Sequence, residues 1–350
     1  MYPALEVAEA ARSVEWEVSY LGSERGSEGR ACQDAGISFE GFPSEPIYKL
    51  YTPRGVRAAL NLARARSTAK VALARIAPDV LFSTGGYASA PVVSAAKSLR
   101  IPYVIHEQNT VPGRTNRILG QNAVAVCTVF SSVERFFPEG VARQTGMPIR
   151  SALRHSAQGS LPMTHSLEKA APIVLVIGGS QGSAALNDIA LATAVRMAST
   201  PVQWVHVTGA RHLEATLASR GKMAIKADYC VKAHLDAEQM ASALFSCTLV
   251  VSRSGAGTLA ELAAFRKPSV LVPYPQAYGD HQRLNAEAFE GMGAADVVAQ
   301  SDLTASLLES CILGWLDARE RCEKAAQALR DWDEPGATER ILDILEEAAP

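Results

Sequence analysis

The sequence predicts an α/β protein in two domains, whose parallel sheets carry anion-binding turns at their carboxyl edges. Two observations carry that prediction. A short apolar run, a glycine-rich turn and a helical pattern follow one another three times. These stretches are residues 79–99 (DVLFSTGGYASAPVVSAAKSL), 172–186 (PIVLVIGGSQGSAAL) and 248–265 (TLVVSRSGAGTLAELAAF). Such joints aim backbone N–H groups and a helix N-terminus at a phosphate beyond the end of a strand. The chain also has 350 residues, more than the roughly 250–300 at which a single hydrophobic core stops growing.

Hydrophobic residues make up 48% of the chain and charged residues 20%, with a net charge of -2. That is the balance of a soluble globular protein. Residues 1–150 hold 17 Lys and Arg against 13 Asp and Glu, and the remainder 17 against 23. The first half is therefore the better match for an anionic surface. Six cysteines without CxxC spacing point to reduced thiols and a cytoplasmic protein. No apolar run approaches the roughly 20 residues that span a bilayer, so contact with a membrane would be peripheral.

In chain order, residues 3–14 read as a helix with Pro3 in its first turn, and residues 15–21 as a strand. An alternating α/β domain opens with a strand and a phosphate-binding turn. Neither precedes residue 3, so the first strand of this domain is expected to be missing. A polar region over 22–51 holds a short strand near 36–39. Residues 54–75 then carry Arg54, Arg57, Arg64, Arg66, Lys70 and Arg75 without an acid, on a helical apolar period. This basic amphipathic helix is either a solvated face packed on a sheet or a contact for anionic lipid headgroups.

A strand over 79–83, a turn at Gly85 and Gly86 and a helix over 90–99 lead to a strand over 102–106 that ends in His106, Glu107, Gln108 and Asn109. Polar side chains at that end of a strand are placed for ligand contact, although a lone His106 equally fits a satisfied core histidine. Strands near 123–127 and 142–145 close a first domain over 1–151. Residues 152–171 read as a linker, 172–330 as a second domain and 331–350 as a terminal helix after a break at 332–336.

Gly178-Gly179-Ser180-Gln181-Gly182 is neither GxGxxG nor a P-loop, because no Gly-Lys-Ser or Gly-Lys-Thr follows. It reads as a phosphate-approaching turn or as a tight turn needing positive φ. Thr258 and Glu261 have capping-box spacing, but a carboxylate one turn into such a helix also suits both hydroxyls of a ribose. Asp280, His281, Gln282 and Asn285 form a polar group suited to a sugar. Asp331-Trp332-Asp333 lies between helices and reads as a polar turn, and no other cluster would hold a metal. No cofactor and no metal are expected. Nucleic-acid binding is disfavoured, because the basic stretch lacks interleaved aromatics.

Together, Ser83-Thr84-Gly85-Gly86-Tyr87, His106-Glu107-Gln108-Asn109, Gly178 to Gly182, Ser252 to Thr258 with Glu261, and Asp280-His281-Gln282 with Asn285 resemble the motif series of the MurG family. These are the GT-B enzymes of glycosyltransferase family 28 that make lipid II for bacterial peptidoglycan. The motifs run in family order over nearly the whole chain. Met147 stands where the family usually carries Asn.

The resemblance implies two Rossmann-like domains facing across a cleft, with the terminal helix returning to the first. It implies UDP-GlcNAc on the second domain, with Glu261 at the ribose, Gly257 and Thr258 near the diphosphate, Ser180 at the phosphates or sugar, and Gln282 at the GlcNAc. Gly85, Gly86 and Tyr87 would face the lipid I acceptor, His106 and Asn109 would lie at the cleft, and Arg150 would match the arginine of an interdomain segment. The family's base histidine belongs to a GGTGGH loop upstream of Met1, so no general base is assigned within this chain. The expected activity is inverting transfer of GlcNAc to the C4 hydroxyl of the MurNAc of lipid I, at the cytoplasmic face of an anionic membrane. The alternatives are another lipid-directed GT-B transferase and a catalytically impaired UDP-sugar-binding remnant.

Overall fold

The computed structural model describes residues 1–24, 26, 28–43, 53–158, 171–179, 181–223, 225 and 228–350. The chain forms two compact units, Met1–Ile149 with Gly336–Pro350, and Arg150–Pro335.

Unit 1 contains α1 (Tyr2–Ser13), β1 (Ser19–Ser23), α2 (Glu28–Asp34), β2 (Ser38–Phe42), α3 (Pro53–Ile76), β3 (Leu81–Ser83), α4 (Ser89–Leu99), β4 (Tyr103–Glu107), α5 (Arg114–Leu119), β5 (Ala125–Thr128) and β6 (Ala142–Gln144). Its strands form two parallel sheets, β1-β2 and β3-β4-β5-β6. β4 is buried at all five positions, as strands covered on both faces are. Along α3 the small residues Ala65, Ala69 and Ala72 are buried with Leu73, and this helix packs on α4. Arg57, Arg64, Arg66, Lys70 and Arg75 are exposed, and Arg75 pairs with Glu40.

Unit 2 contains α6 (Ser151–Gln158), β7 (Ile173–Ile177), α7 (Ala184–Arg196), β8 (Gln203–Val207), α8 (Leu213–Lys222), β9 (Tyr229–Lys232), α9 (Ala237–Ser246), β10 (Leu249–Ser252), α10 (Ala256–Ala264), β11 (Ser269–Leu271), α11 (His281–Gly291), β12 (Ala295–Val297), α12 (Ala305–Leu316) and α13 (Arg319–Trp332). One parallel sheet runs β12-β11-β10-β7-β8-β9. From β7 the chain winds toward β9, and from β10 it winds toward β12. The crevice beyond the ends of β7 and β10 is thus the topological switch point, where doubly wound sheets bind ligands.

The last helix, α14 (Ala337–Ala348), belongs to unit 1 and begins at residue 337 rather than 331. Ile341, Ile344, Leu345 and Ala348 pack with Val7, Val104, Ala125 and Cys127. Each buried large aliphatic side chain is worth roughly 1.5–3 kcal/mol. The exposed Arg143–Glu347 pair at 2.6 Å adds at most about 1 kcal/mol, so apolar burial is what ties α14 down. Arg340 adds two donations to the Thr145 carbonyl at 2.8 and 3.2 Å.

The segment read as a linker, 152–171, differs in its first half. Residues 151–158 are α6, which packs on α9, and residues 159–170 lie outside the described residues. Leu153 is the one fully buried anchor of this short helix, too weak a period to read in a Ser- and His-rich stretch.

Candidate active site

The switch point of unit 2 is lined by two of the glycine turns. After β7, Gly179 and Gly182 have φ of 86° and 73°. A Cβ on Gly182 would sit 2.0 Å from the Thr208 carbonyl oxygen, so the fold itself demands glycine there. Ser183 caps α7, its Oγ accepting from the Leu186 N–H at 3.4 Å. Ser180, expected at the phosphates or sugar, lies outside the described residues.

After β10, Gly255 is the N-cap of α10 and supplies no side chain to it. Ala256, Gly257 and Thr258 form the first turn, whose N–H groups have no intrahelical acceptor. A Cβ on Gly257 would meet nothing within 4 Å. In contrast to Gly182, glycine at 257 is not required by the protein's own packing, and it leaves the helix end bare for a close-approaching group. The capping-box reading of Thr258 and Glu261 does not apply, because Thr258 is inside the helix rather than at its N-cap.

Glu261 instead pairs with Arg150, whose Nη2 donates to Oε1 at 3.3 Å, with side chains 25% and 21% exposed for Arg150 and Glu261. Burial pushes the Glu261 carboxyl above the usual carboxylate range, while the Arg150 charge and hydrogen bond pull it back down. Arg150 lies in unit 2 and not, as its place within 1–151 suggested, in the first domain. Its carbonyl accepts from the Arg154 N–H at 3.0 Å, which fixes it at the start of α6.

A residue that the motif reading passed over holds these turns together. The Arg253 guanidinium is 7% exposed and donates to Ser183 Oγ at 2.7 Å, to Gln300 Oε1 at 2.6 Å and to the carbonyls of Val272 and Pro273 at 2.9 and 3.1 Å. It also lies 5.7 Å from the Tyr274 ring centroid. Five rigid donors on one plane suit such a four-acceptor hub. Next to it, Ser254 Oγ donates to the Gln282 carbonyl at 2.7 Å, and Asn285 donates to the Ser254 carbonyl at 3.2 Å. Gln282 Oε1 accepts from the Tyr274 N–H at 2.9 Å. This fixes the carboxamide and commits its oxygen, leaving the amide nitrogen as the group that can donate to a sugar.

On β8, burial lowers the His206 pKa to about 4, and both of its ring nitrogens have partners. Tyr229 Oη meets Nδ1 at 2.8 Å and Asn187 Oδ1 meets Nε2 at 2.9 Å. Asn187 also donates to the Thr208 carbonyl at 3.1 Å, so the network supports the strand end against which Gly182 is pressed.

The predicted acceptor-side residues lie in unit 1. Tyr87 is 48% exposed. Gly85 and Gly86 have φ of 81° and 87°, and a Cβ on Gly85 would lie 2.4 Å from the Asn116 side chain. Asn116 is held by Glu107, a buried carboxylate that accepts from Asn116 Nδ2 at 2.8 Å, Gly113 N at 2.9 Å, and Asn109 N and Nδ2 at 3.0 and 3.3 Å. Asn109 is thus tied to Glu107, and the Glu107 carboxylate organises the Gly85 loop rather than facing solvent.

His106 corrects an expectation. It is fully buried on β4, where Nε2 donates to the Gly146 carbonyl at 3.0 Å. Burial lowers its pKa to about 4, against the opposing effect of that hydrogen bond. It is a core histidine and not a cleft residue. Among the described residues, no three His, Cys, Asp or Glu side chains form a metal-holding group, and no helix is long and apolar enough to cross a membrane.

Two parallel α/β units, one with bare glycine turns at its switch point, are the architecture of a GT-B glycosyltransferase. Residues 1–128 match the glycosyltransferase family 28 N-terminal domain and residues 173–343 its C-terminal domain. The chain belongs to glycosyltransferase family 28. It is 32% identical to the UDP-N-acetylglucosamine--N-acetylmuramyl-(pentapeptide) pyrophosphoryl-undecaprenol N-acetylglucosamine transferase of Halothermothrix orenii, over 100% of this chain and 96% of that one. With the protein of the same name from Anaeromyxobacter dehalogenans it shares 37%, over 99% and 89%. The crystal structure of Acinetobacter baumannii MurG superposes with a TM-score of 0.76 at 28% identity, over 99% of this chain and 95% of that chain.

Proposed function

We infer that this chain transfers N-acetylglucosamine from UDP-GlcNAc to the C4 hydroxyl of the MurNAc of lipid I, giving lipid II and UDP with inversion at the anomeric carbon. The observation that carries the reading is the buried-edge pair of Glu261 and Arg150 beside the bare first turn of α10. The names and full-length similarity of its relatives supply the substrates.

Glu261 takes the ribose hydroxyls, with Arg150 keeping its carboxylate ionised and oriented. The first-turn amides of Gly257 and Thr258, at the positive end of the α10 dipole, take the charge that grows on the diphosphate as the bond from the anomeric carbon to the phosphate oxygen breaks. That is a role a divalent metal plays elsewhere. The Gln282 amide donates to the GlcNAc, and Ser180, three residues beyond Ile177 in the sequence, is assigned to the phosphates or sugar by the family resemblance alone. The Gly85-Gly86-Tyr87 loop, stiffened through Asn116 and Glu107, binds lipid I. The acceptor C4 oxygen forms the new bond and gives its proton to a base; buried His106 is not that base.

The enzyme works peripherally at the cytoplasmic membrane face. Support comes from α3, where exposed basic residues accompany exposed Leu60 and Val71. Each such charge adds about 1 kcal/mol at an anionic surface.

The test is transfer from labelled UDP-GlcNAc to a soluble lipid I analogue, with diacylglycerol as competing acceptor. Labelled disaccharide on the lipid I analogue alone is expected. Transfer to diacylglycerol alone would assign the chain to another lipid-directed transferase, and donor binding without any transfer would leave it a UDP-sugar-binding protein.

A further inference from the structure

A buried ion pair in unit 2 lies behind the Arg150–Glu261 contact. Arg154 Nη1 donates to Asp333 Oδ2, and both side chains are 13% exposed, less than those of Arg150 and Glu261. Arg154 is the fourth residue of α6. Asp333 caps the carboxyl end of α13, where its N–H donates to the Leu329 carbonyl at 3.0 Å. It belongs to the Asp331-Trp332-Asp333 stretch, which in the sequence reads as a polar turn. The two acids differ in their surroundings: Asp331 accepts from Gln327 of its own helix at 2.7 Å, while Asp333 turns to a different element.

At eight residues, α6 is too short to hold its shape unaided. Its one buried apolar side chain, Leu153, fixes a point of contact but leaves rotation about that point open. The Arg154–Asp333 pair supplies a second, directional anchor at the next residue. The post to which it is tied is itself held. α13 packs on α10, and Trp332 meets the buried Phe289 ring of α11 edge-on, with centroids 5.0 Å apart. These contacts close a ring. It runs from Glu261 on α10 through α13 to Asp333 and across to Arg154. The Arg154 N–H then donates to the Arg150 carbonyl at 3.0 Å, and the Arg150 guanidinium returns to Glu261.

We propose that Arg154 and Asp333 are positioning residues for the donor site: their pair sets where α6 starts and so holds Arg150 against the Glu261 carboxylate. The proposal rests on the reading in which Glu261 takes the ribose hydroxyls. Stability alone is a poor account of the pair, because desolvation of two charges offsets most of their attraction, and an apolar pair of similar volume often serves a core as well or better. What the charged pair adds is a fixed direction. Both residues act through Arg150.

The test is calorimetric binding of UDP-GlcNAc and of its 2′,3′-dideoxy form to the full chain and its variants, with thermal unfolding of each. Arg154→Met removes the anchor but strands the Asp333 charge; Arg154→Met combined with Asp333→Leu removes both charges and strands neither. Each variant is expected to bind UDP-GlcNAc about ten-fold more weakly and the dideoxy form as the parent does, with the Tm of the double variant unchanged or higher. In an Arg150→Met background, Arg154→Met should cost nothing further in affinity, because a residue that acts through another is not additive with it. Three results would overturn the proposal and leave the donor site standing: parent-like affinity for UDP-GlcNAc in the double variant, equal losses for the two ligands, or a further loss in the Arg150→Met background. A parent chain that binds UDP-GlcNAc no better than the dideoxy form would remove the ribose role of Glu261, and the proposal with it.

Discussion

Arg150 Nη2 lies 3.3 Å from Glu261 Oε1, joining the start of α6 to the second turn of α10. The pair holds a carboxylate near the first-turn amides of α10 although burial raises its pKa. Removing the charge should therefore have opposite effects on binding and on stability. Glu261→Gln is expected to weaken UDP-GlcNAc about 10- to 150-fold, the value of a charged hydrogen-bonding group at roughly 1.5–3 kcal/mol. It should also abolish the preference for UDP over its 2′,3′-dideoxy form, as calorimetry would show.

The same pair makes a pH prediction whose sign is fixed. A carboxyl with a raised folded pKa holds its proton more tightly in the folded state than in the unfolded one, so folding gains stability as pH falls from that raised value toward the ordinary 4.5. Glu261→Gln removes this gain. Urea unfolding at pH 7 and pH 5 should show a smaller acid-side benefit in the variant than in the parent chain.

His106 and His206 act with the reverse sign. Both are buried with pKa values lowered to about 4 from the ordinary 6.5. Each therefore costs the folded state stability as pH falls from 6.5 to about 4, by roughly 3 kcal/mol at the acid end. His106→Gln should flatten this loss without altering the pH profile of transfer at saturating substrate. A shifted transfer profile would return His106 to the reacting groups.

Much of this arrangement is legible in the sequence, because its strongest signals are periodic or glycine-marked. The helix read over 54–75 is α3, and the stretch over 248–265 folds as β10, the Gly255 turn and α10. Weaker signals hid the rest. α2 buries only Cys32, so no apolar stripe announces it. β12 is three residues long and carries Asp296, which is tolerated there because Arg321 pairs with it. His106 looked like a ligand residue because it stands at a strand end, but the β4 positions around it are buried throughout. Arg253 sits inside a recognisable motif, yet its role depends on acceptors from Ser183 to Gln300, which no local pattern brings together.

Arg253 should therefore position the donor site rather than touch the reacting atoms. Lysine keeps the charge but cannot span four acceptors with one ammonium group. Arg253→Lys is expected to raise the KM for UDP-GlcNAc by about ten-fold, worth about 1.4 kcal/mol, with a smaller change in kcat. Arg253→Met should cost roughly 3–5 kcal/mol of stability, as removal of one partner from a buried charged cluster does. Equal losses of kcat and kcat/KM in the lysine variant would instead place Arg253 in the transition state.

The most direct test of the donor site uses Gly257, where the protein leaves open space around an absent Cβ. Alanine there suits a helix and should hold or raise stability by about 0.4–1 kcal/mol, while its methyl group obstructs the approach of the diphosphate. UDP-GlcNAc binding by calorimetry and thermal unfolding are measured on the parent chain and on Gly257→Ala. The prediction is binding in the parent, a loss of about ten-fold or more in the variant, and an unchanged or higher Tm. Equal affinity in both proteins would contradict the placement of the UDP diphosphate at the first turn of α10.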